Sequence, residues 1–376
     1  MTVEGRGTLL SFTPMREPCR ERTSPVRSSH SRIACLLYRT RRAAAVLLVV
    51  AALAALTGCS KSPSAPTGTG DIAGLRLAAF ASDRGNSSGQ YDLYLWDFDT
   101  QAFREMGVTR SFAAQRHPTI SSDGRFVAYQ ENSGSNGDDI RMLDRKGPGL
   151  LDLSPINTAA DENEPAFSGN AKLLCYTQAV GGVRRIHLFD GTNGTAIALP
   201  GLDTTGTYND YSPSPNYDAS LIAFVSTRNG APDIFIYDRG RKQVLDGPIL
   251  RTALVSANDD LDPSFSQSGR FLSFASSRPG GSGGLDVYVL EFAVTSTHTD
   301  TLLRTMPLAN SSSDERHPGI SDSGNTLVFQ SDRAGGQGRF DLWNYDRSNS
   351  TLSHPDLPSL YNSTGDDIEP SLKWFY

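Results

Sequence analysis

Carboxylate and histidine side chains recur at two fixed distances before six evenly spaced prolines. The prolines are Pro118, Pro165, Pro213, Pro263, Pro318 and Pro370. Three residues earlier stand Gln115, Glu162, Asp210, Asp260, Glu315 and Asp367, and one residue earlier stand His117, Glu164, Ser212, Asp262, His317 and Glu369. If the strands that carry the prolines are the innermost strands of the fold, both sets of side chains ring one mouth of a central channel. There they could hold a cation, dock a basic partner or hydrolyse a substrate at a carboxylate rim.

Arginines at a third fixed distance offer a structural explanation for the acidic residues. Arg228, Arg278 and Arg333 each stand fifteen residues after one of the prolines, and Arg84 is the equivalent in an incomplete unit. If these segments are antiparallel neighbours, the pairs are Asp210/Arg228, Asp260/Arg278, Glu315/Arg333 and Asp367/Arg84. Both charges are absent at Gln115 and Ser133, and Glu162 faces Val180 without a partner. The acid and the arginine are present together or absent together in all units except that of Glu162, which favours internal ion pairs over a binding ring.

One tripeptide occurs twice, as Arg116-His117-Pro118 and as Arg316-His317-Pro318. The two imidazoles could approach Glu369, and imidazole with carboxylate suits several divalent ions. A third histidine at an equivalent position is missing from the sequence. We therefore expect no metal and no cofactor, and we keep His117, His317 and Glu369 as the candidate ligands of an alternative metal site.

The elements that must position these residues follow from the spacing of the prolines, which is 47, 48, 50, 55 and 52 residues. In each unit we expect the proline to begin a short strand, which is followed by a turn and by an apolar strand ending in an aromatic residue. A third strand with the spacing Asp-x4-Asp and a looser fourth strand complete the unit. Four short antiparallel strands per repeat of about fifty residues are typical of a β-propeller blade.

The two ends of the repeat array complement each other. Residues 76–106 contain strands two, three and four of a blade, and residues 367–373 supply only strand one. Joining them in one sheet closes the ring and removes exposed strand edges. The sequence therefore predicts an all-β protein with a six-bladed propeller over residues 75–376, closed by the C-terminal strand in the N-terminal blade.

The repeats also resemble a known family. The segments "DLDPSFSQSGRFLSFASSR" and "ERHPGISDSGNTLVFQSDR", followed by patterns such as "DIFIYD", resemble the TolB-type β-propeller repeat over about 300 residues. This resemblance implies a six-bladed propeller in the bacterial cell envelope. Oligogalacturonate lyases have a similar propeller and place a metal with several histidines. A metal-assisted polysaccharide lyase, or a hydrolase, is therefore the alternative to a binding protein.

The N-terminal residues predict export and lipid attachment. Arginines precede the apolar run "AAAVLLVVAALAAL", which suits a signal peptide better than a membrane span. The run ends in Leu56-Thr57-Gly58-Cys59, which resembles the bacterial lipobox. We expect a signal peptide over 1–58, with a start that could be over-extended, lipidation of Cys59, and a Ser/Pro/Gly tether over 59–74. The expected location is the outer membrane, facing the periplasm.

The charge of the remaining chain bears on its partners. The formal net charge of −6 becomes −12 without residues 1–58, because 26 basic and 38 acidic residues remain. The strong net negative charge of residues 59–376 argues against nucleic acid as a ligand. The pattern Gly-x-Ser-x-Gly occurs at 85–89 and at 280–284, but both segments are Gly-rich loops that join strands rather than open helices, so neither predicts a nucleophile elbow. We therefore expect a non-enzymatic envelope protein that binds another protein or an envelope component at the mouth of the propeller channel.

Overall fold

The computed structural model describes residues 76–85, 89–104, 106, 113–132, 137–147, 149–202, 205–294, 299–305, 309–353 and 362–374. The predicted signal peptide, Cys59 and the tether lie outside these ranges. Within them, no helix has both the length and the apolar character needed to cross a membrane.

The described residues form six antiparallel sheets of four strands each, so the predicted fold is confirmed. One short helix, α1 (Pro248–Leu254), follows the fourth sheet strand of one blade. In chain order the strands are β1 (Arg76–Ser82), β2 (Asp92–Asp97), β3 (Ala102–Arg104), β4 (Gln115–Ile120), β5 (Phe126–Asn132), β6 (Asp138–Asp144), β7 (Gly149–Leu150), β8 (Asp161–Phe167), β9 (Leu173–Val180), β10 (Val183–Asp190), β11 (Thr195–Ile197), β12 (Asp210–Pro215), β13 (Leu221–Asn229), β14 (Ala231–Asp238), β15 (Gln243–Val244), β16 (Asp260–Phe265), β17 (Phe271–Ser276), β18 (Asp286–Val294), β19 (Thr299–Thr305), β20 (Glu315–Ile320), β21 (Thr326–Ser331), β22 (Asp341–Asp346), β23 (Thr351–Ser353) and β24 (Asp367–Trp374).

Blade 1 joins the two ends of the described chain. Its strand order is β24-β1-β2-β3, and β24 pairs antiparallel with β1 so that Asp367 faces Ser82 and Trp374 faces Arg76. Blades 2 to 6 each consist of four consecutive strands, beginning with β4, β8, β12, β16 and β20. These five strands and β24 contact one another in ring order, which makes them the inner strands around a central channel.

Each inner strand contains a bulge at its proline. In blade 2, for example, the pairing register shifts between Arg116 and Thr119, on either side of Pro118, and equivalent shifts occur in the other five blades. The prolines therefore lie within the inner strands, not at their beginning as the sequence suggested. A bulge tolerates proline because the extra residue leaves the hydrogen-bond ladder locally unpaired.

The hydrophobic core lies between neighbouring blades. The aromatic residues that were predicted to end each second strand are all buried there, although the strands continue two to five residues beyond them: Phe80, Tyr129, Tyr176, Phe224, Phe274 and Phe329. Full burial of a side chain of this kind contributes about 1.5–3 kcal/mol. Cys175 is also fully buried, in the core shared by blades 3 and 4. The blades are thus held together as a ring that presents the six inner strands to the channel.

Candidate functional site

The residues directly before the six prolines converge at one mouth of the channel. They line a pocket of about 150 Å³ and are named here the mouth ring: His117, Glu164, Ser212, Asp262, His317 and Glu369. All six have left-handed backbone conformations, with φ between 48° and 55°. Such conformations cost free energy for residues other than glycine and are concentrated at functional sites. The bulge next to each proline imposes this conformation and turns the side chain toward the channel.

Acids and hydrogen-bond donors alternate around the mouth ring. Glu369, Glu164 and Asp262 belong to blades 1, 3 and 5. Each accepts the backbone N–H of the ring residue in the next blade, at 2.7 Å from His117, 2.8 Å from Ser212 and 3.1 Å from His317. Three carboxylates therefore tie the blades together in pairs at the channel entrance.

Glu369 is the most tightly held of the three acids. Its carboxylate accepts hydrogen bonds from the Arg116 side chain, including one of 2.9 Å from Nε, and lies 3.7 Å from Nε2 of His117. Burial alone would raise the pKa of Glu369, but His117, Arg116 and His317 outweigh it and lower this pKa to about 2. Glu369 is therefore ionised over the whole physiological range.

The low pKa of Glu369 predicts a contribution to stability that depends on pH. A carboxyl group with a depressed folded-state pKa stabilises the fold above its unfolded pKa of about 4.5, and the contribution is lost as the pH falls toward 2. Glu369→Gln should therefore lower the free energy of unfolding, measured by urea denaturation, by roughly 3 kcal/mol at most at about pH 6, and by much less at about pH 3. An equal difference in unfolding free energy between the wild-type protein and Glu369→Gln at both pH values would contradict the depressed pKa of Glu369.

The two histidines of the mouth ring lie across blade 1 from each other. Their ring centroids are 6.2 Å apart, with an angle of 66° between the planes. Nδ1 of His317 is 3.3 Å from Oδ1 of Asp262, whereas His117 turns toward Glu369. Over the described residues, no three histidine, cysteine or acidic side chains are grouped so that they could hold a metal ion.

The acids three residues before the prolines do not line the channel, contrary to the sequence-based expectation. These candidates are buried within the blades: Glu162, Asp210, Asp260, Glu315 and Asp367. In a regular strand, residues two apart share one face. The bulge breaks this alternation, so of the two positions only the residue directly before the proline lines the pocket at the mouth.

The structure brings together the four acid–arginine pairs that the spacing predicted. The shortest N–O distances are 2.5 Å for Arg84–Asp367, 3.0 Å for Arg228–Asp210, 2.6 Å for Arg278–Asp260 and 2.8 Å for Arg333–Glu315. Each arginine also stacks on the aromatic residues of its own second and third strands. Arg278, for example, lies 5.0 Å from the ring centroid of Phe274 and 4.9 Å from that of Tyr288.

A serine in each of these four blades was not recognised from the sequence. Nε of each arginine donates to the hydroxyl of the serine two residues earlier, as from Arg278 to Ser276 at 2.8 Å. The signal was present as Ser-x-Arg at 82–84, 226–228, 276–278 and 331–333. The serine fixes the guanidinium between the acid and the two rings.

In blades 2 and 3, which lack this arginine, other groups hydrogen-bond to the residue three positions before the proline. In blade 2, Gln115 donates to Glu131 at 3.2 Å, and Glu131 pairs with Arg141 at 3.0 Å. In blade 3, Glu162 accepts from the backbone N–H and hydroxyl of Thr158 and, at 2.8 Å, from Gln178. The described contacts thus give every residue at this position a structural role.

The fold and the mouth ring define the class of this protein: it is a six-bladed β-propeller with a polar channel entrance. No protein-family model matches the chain. It is 30% identical over 162 residues to a TolB homologue from Chlorobium luteolum, across 42% of this chain. The matched segment spans about a third, 34%, of that relative's length.

Solved structures show the same fold. TolB from Acinetobacter baumannii superposes with a TM-score of 0.57 at 18% identity, over 79% of this chain and 66% of TolB. Hydrazine synthase from Kuenenia stuttgartiensis gives a TM-score of 0.54 at 12% identity, over 81% of this chain and 47% of that chain. The chain is therefore similar in sequence to a TolB homologue over the matched segment, and it shares its propeller fold with TolB.

Proposed function

We propose that this protein is a non-enzymatic component of the bacterial cell envelope, and that its mouth ring binds a segment of another protein. The observation that carries this proposal is the convergence of six strained, polar residues on one concave entrance. Conformations of this kind persist only where the surrounding structure enforces them. All six blades maintain them at the channel mouth, although the residue types differ from blade to blade.

The resemblance to TolB supports the placement in the envelope. The lipobox-like sequence before Cys59 supports lipid attachment there, with residues 1–58 removed and 59–74 serving as a tether. We place the propeller in the periplasm, anchored to the outer membrane. In cell fractionation, a Cys59→Ser variant exported with a cleavable non-lipoprotein signal peptide in place of residues 1–58 should move from the membrane to the soluble periplasmic fraction. A membrane-bound Cys59→Ser variant would contradict the lipid anchor.

A quantitative affinity capture tests the mouth ring as the binding site. The double variant Glu164→Gln/Asp262→Asn removes two accessible carboxylate charges from the ring and leaves the isosteric side chains in place. From detergent-solubilised envelopes, it should recover at least fivefold less of the main partner than the wild-type protein, because polar contacts at a binding centre set affinity.

The matched control is Asp190→Asn/Asp246→Asn, which removes two charges outside the mouth, one at the end of β10 and one between β15 and α1. It should capture the partner at the wild-type level. Circular dichroism should show that all three proteins are folded. Equal loss in both double variants, or equal capture by all three proteins, would contradict the proposed function.

A further inference from the structure

We infer that the half of the mouth ring formed by Glu164, Ser212 and Asp262 binds the ammonium group of a lysine side chain presented by the partner. This inference rests on the proposed function and adds to it the chemistry of the group that enters the mouth. It follows from the accessibility, the charge and the acceptor geometry of these three residues.

The three acids of the mouth ring differ in accessibility. Only 4% of the Glu369 side chain is exposed, whereas 14% is exposed for both Glu164 and Asp262. Glu369 is also enclosed by Arg116 and His117. A ligand entering from solvent therefore meets Glu164 and Asp262, and not Glu369.

The charge of these two acids is only partly compensated within the protein. The guanidinium of Arg184 remains 3.6 Å from Glu164, beyond hydrogen-bond distance, and lies 3.7 Å above the ring of Tyr211. Among the described lysine, arginine and histidine side chains, His317 is the one that approaches Asp262 within 4 Å, at 3.3 Å. This half of the mouth consequently favours an added positive charge.

The acceptor geometry favours an ammonium over a guanidinium. Glu164, Ser212 and Asp262 come from three consecutive blades, so their oxygens approach the pocket from different directions. An ammonium group has three donors around a single point and can bond to all three residues. A guanidinium is a planar fork that suits the paired oxygens of one carboxylate.

The walls of the pocket fit the carbon chain of lysine. The six inner-strand prolines line it, and its volume of about 150 Å³ admits one slender side chain. The four methylene groups of lysine can pack against the proline rings while the ammonium reaches the acids. An N-terminal ammonium has no such apolar stem, so a lysine side chain is the better match.

Two small probes test this inference on the wild-type full-length protein. N-acetyl-lysine methylamide presents the ammonium on its natural stem, and N-acetyl-norleucine methylamide has the same stem with a methyl group at its end. By ligand-observed NMR, the lysine probe should bind at least fivefold more tightly than the norleucine probe. Equal affinity of the two probes, or tighter binding of glycylglycinamide, which offers only an N-terminal ammonium, would overturn the inference.

A variant pair assigns the binding to this half of the mouth. Asp262→Asn should weaken the lysine probe at least fivefold, because its amide can still accept the His317 N–H but carries no charge. Asp246→Asn, an exposed acid paired with Arg251 outside the mouth, should leave the affinity unchanged. Unchanged affinity in Asp262→Asn would overturn the inference.

The probes and the affinity capture separate the inference from the proposed function. If the lysine probe does not bind but the mouth double variant loses its partner, the ammonium site is wrong and the proposed function stands. If the lysine probe binds as expected but the double variant keeps its partner, the ammonium site stands and the proposed function is wrong.

Discussion

Deleting the chain from Asp366 onward is expected to abolish the cooperative unfolding transition. The deletion removes β24, the inner strand of blade 1, and exposes the edge of β1. It also removes the buried Asp367–Arg84 pair and the hydrogen bond from His117 N–H to Glu369. Blades 2 and 6 lose their contacts with β24 at the same time. Together these losses should exceed the 5–15 kcal/mol by which a typical domain is stable.

Near-ultraviolet circular dichroism during thermal unfolding measures this effect. We expect the truncated protein to show no sharp transition and to aggregate through its uncovered strand edge. A point variant provides a milder test, since Ile368→Asp places a charge in the core between blades 1 and 2. Its control is Leu150→Asp on the exposed outer strand β7, which should change the stability by less than about 0.5 kcal/mol. A sharp transition in the truncated protein would contradict ring closure by β24.

Replacing Arg278 with methionine is expected to destabilise the protein by about 3–5 kcal/mol, because it leaves a buried carboxylate without its cation. Asp260 is fully buried, and Arg278 is its partner at 2.6 Å. The second oxygen of Asp260, Oδ2, has no hydrogen-bond partner among the described residues. The substitution would therefore remove the guanidinium that balances the negative charge of Asp260.

The matched control is the equivalent change in blade 6, Arg333→Met. Glu315 keeps hydrogen bonds from the Ser311 backbone and hydroxyl and from Ser331, so the loss should be smaller than in Arg278→Met. Urea denaturation of both variants measures the difference. Adding Asp260→Asn to Arg278→Met should recover part of the stability. Equal losses in the two single variants would show that Asp260 has another source of compensation.

The architecture could be predicted because local sequence patterns define each repeat. The spacing of the prolines, the buried aromatic residues and the two incomplete end units together define six blades and a closing strand. The acid–arginine pairs could be predicted as well, since antiparallel register places Asp260 beside Ser276 and therefore near Arg278. These features depend on strand pairing, which the alternation of residues encodes directly.

The geometry of the channel mouth could not be predicted in the same way. Regular alternation places Asp260 and Asp262 on one face of a strand, and both were therefore expected at the mouth. The bulge at Pro263 separates them: Asp260 lies inside the blade, and Asp262 faces the channel. None of the six mouth-ring residues is a glycine, so the residue types give no local signal for their left-handed conformation. It arises at the bulge next to each proline, which only the paired strands of the folded blade reveal.

The alternation of acids and donors around the mouth also became apparent only in three dimensions. Glu164 and Ser212 are 48 positions apart, yet Glu164 accepts the Ser212 N–H at 2.8 Å. Contacts between neighbouring blades of this kind depend on the curvature of the ring, which the repeat length does not specify.

Site-specific photo-crosslinking in living cells tests the central claim most directly. A photoreactive amino acid is placed at Ser212 in the mouth ring and, separately, at Ser348 in the turn between β22 and β23. If the mouth binds a segment of a partner, the protein labelled at Ser212 should yield one dominant polypeptide adduct, which the protein labelled at Ser348 does not yield. The absence of a polypeptide adduct at Ser212, or the same adduct from both positions, would contradict the claim that the channel mouth is the binding site.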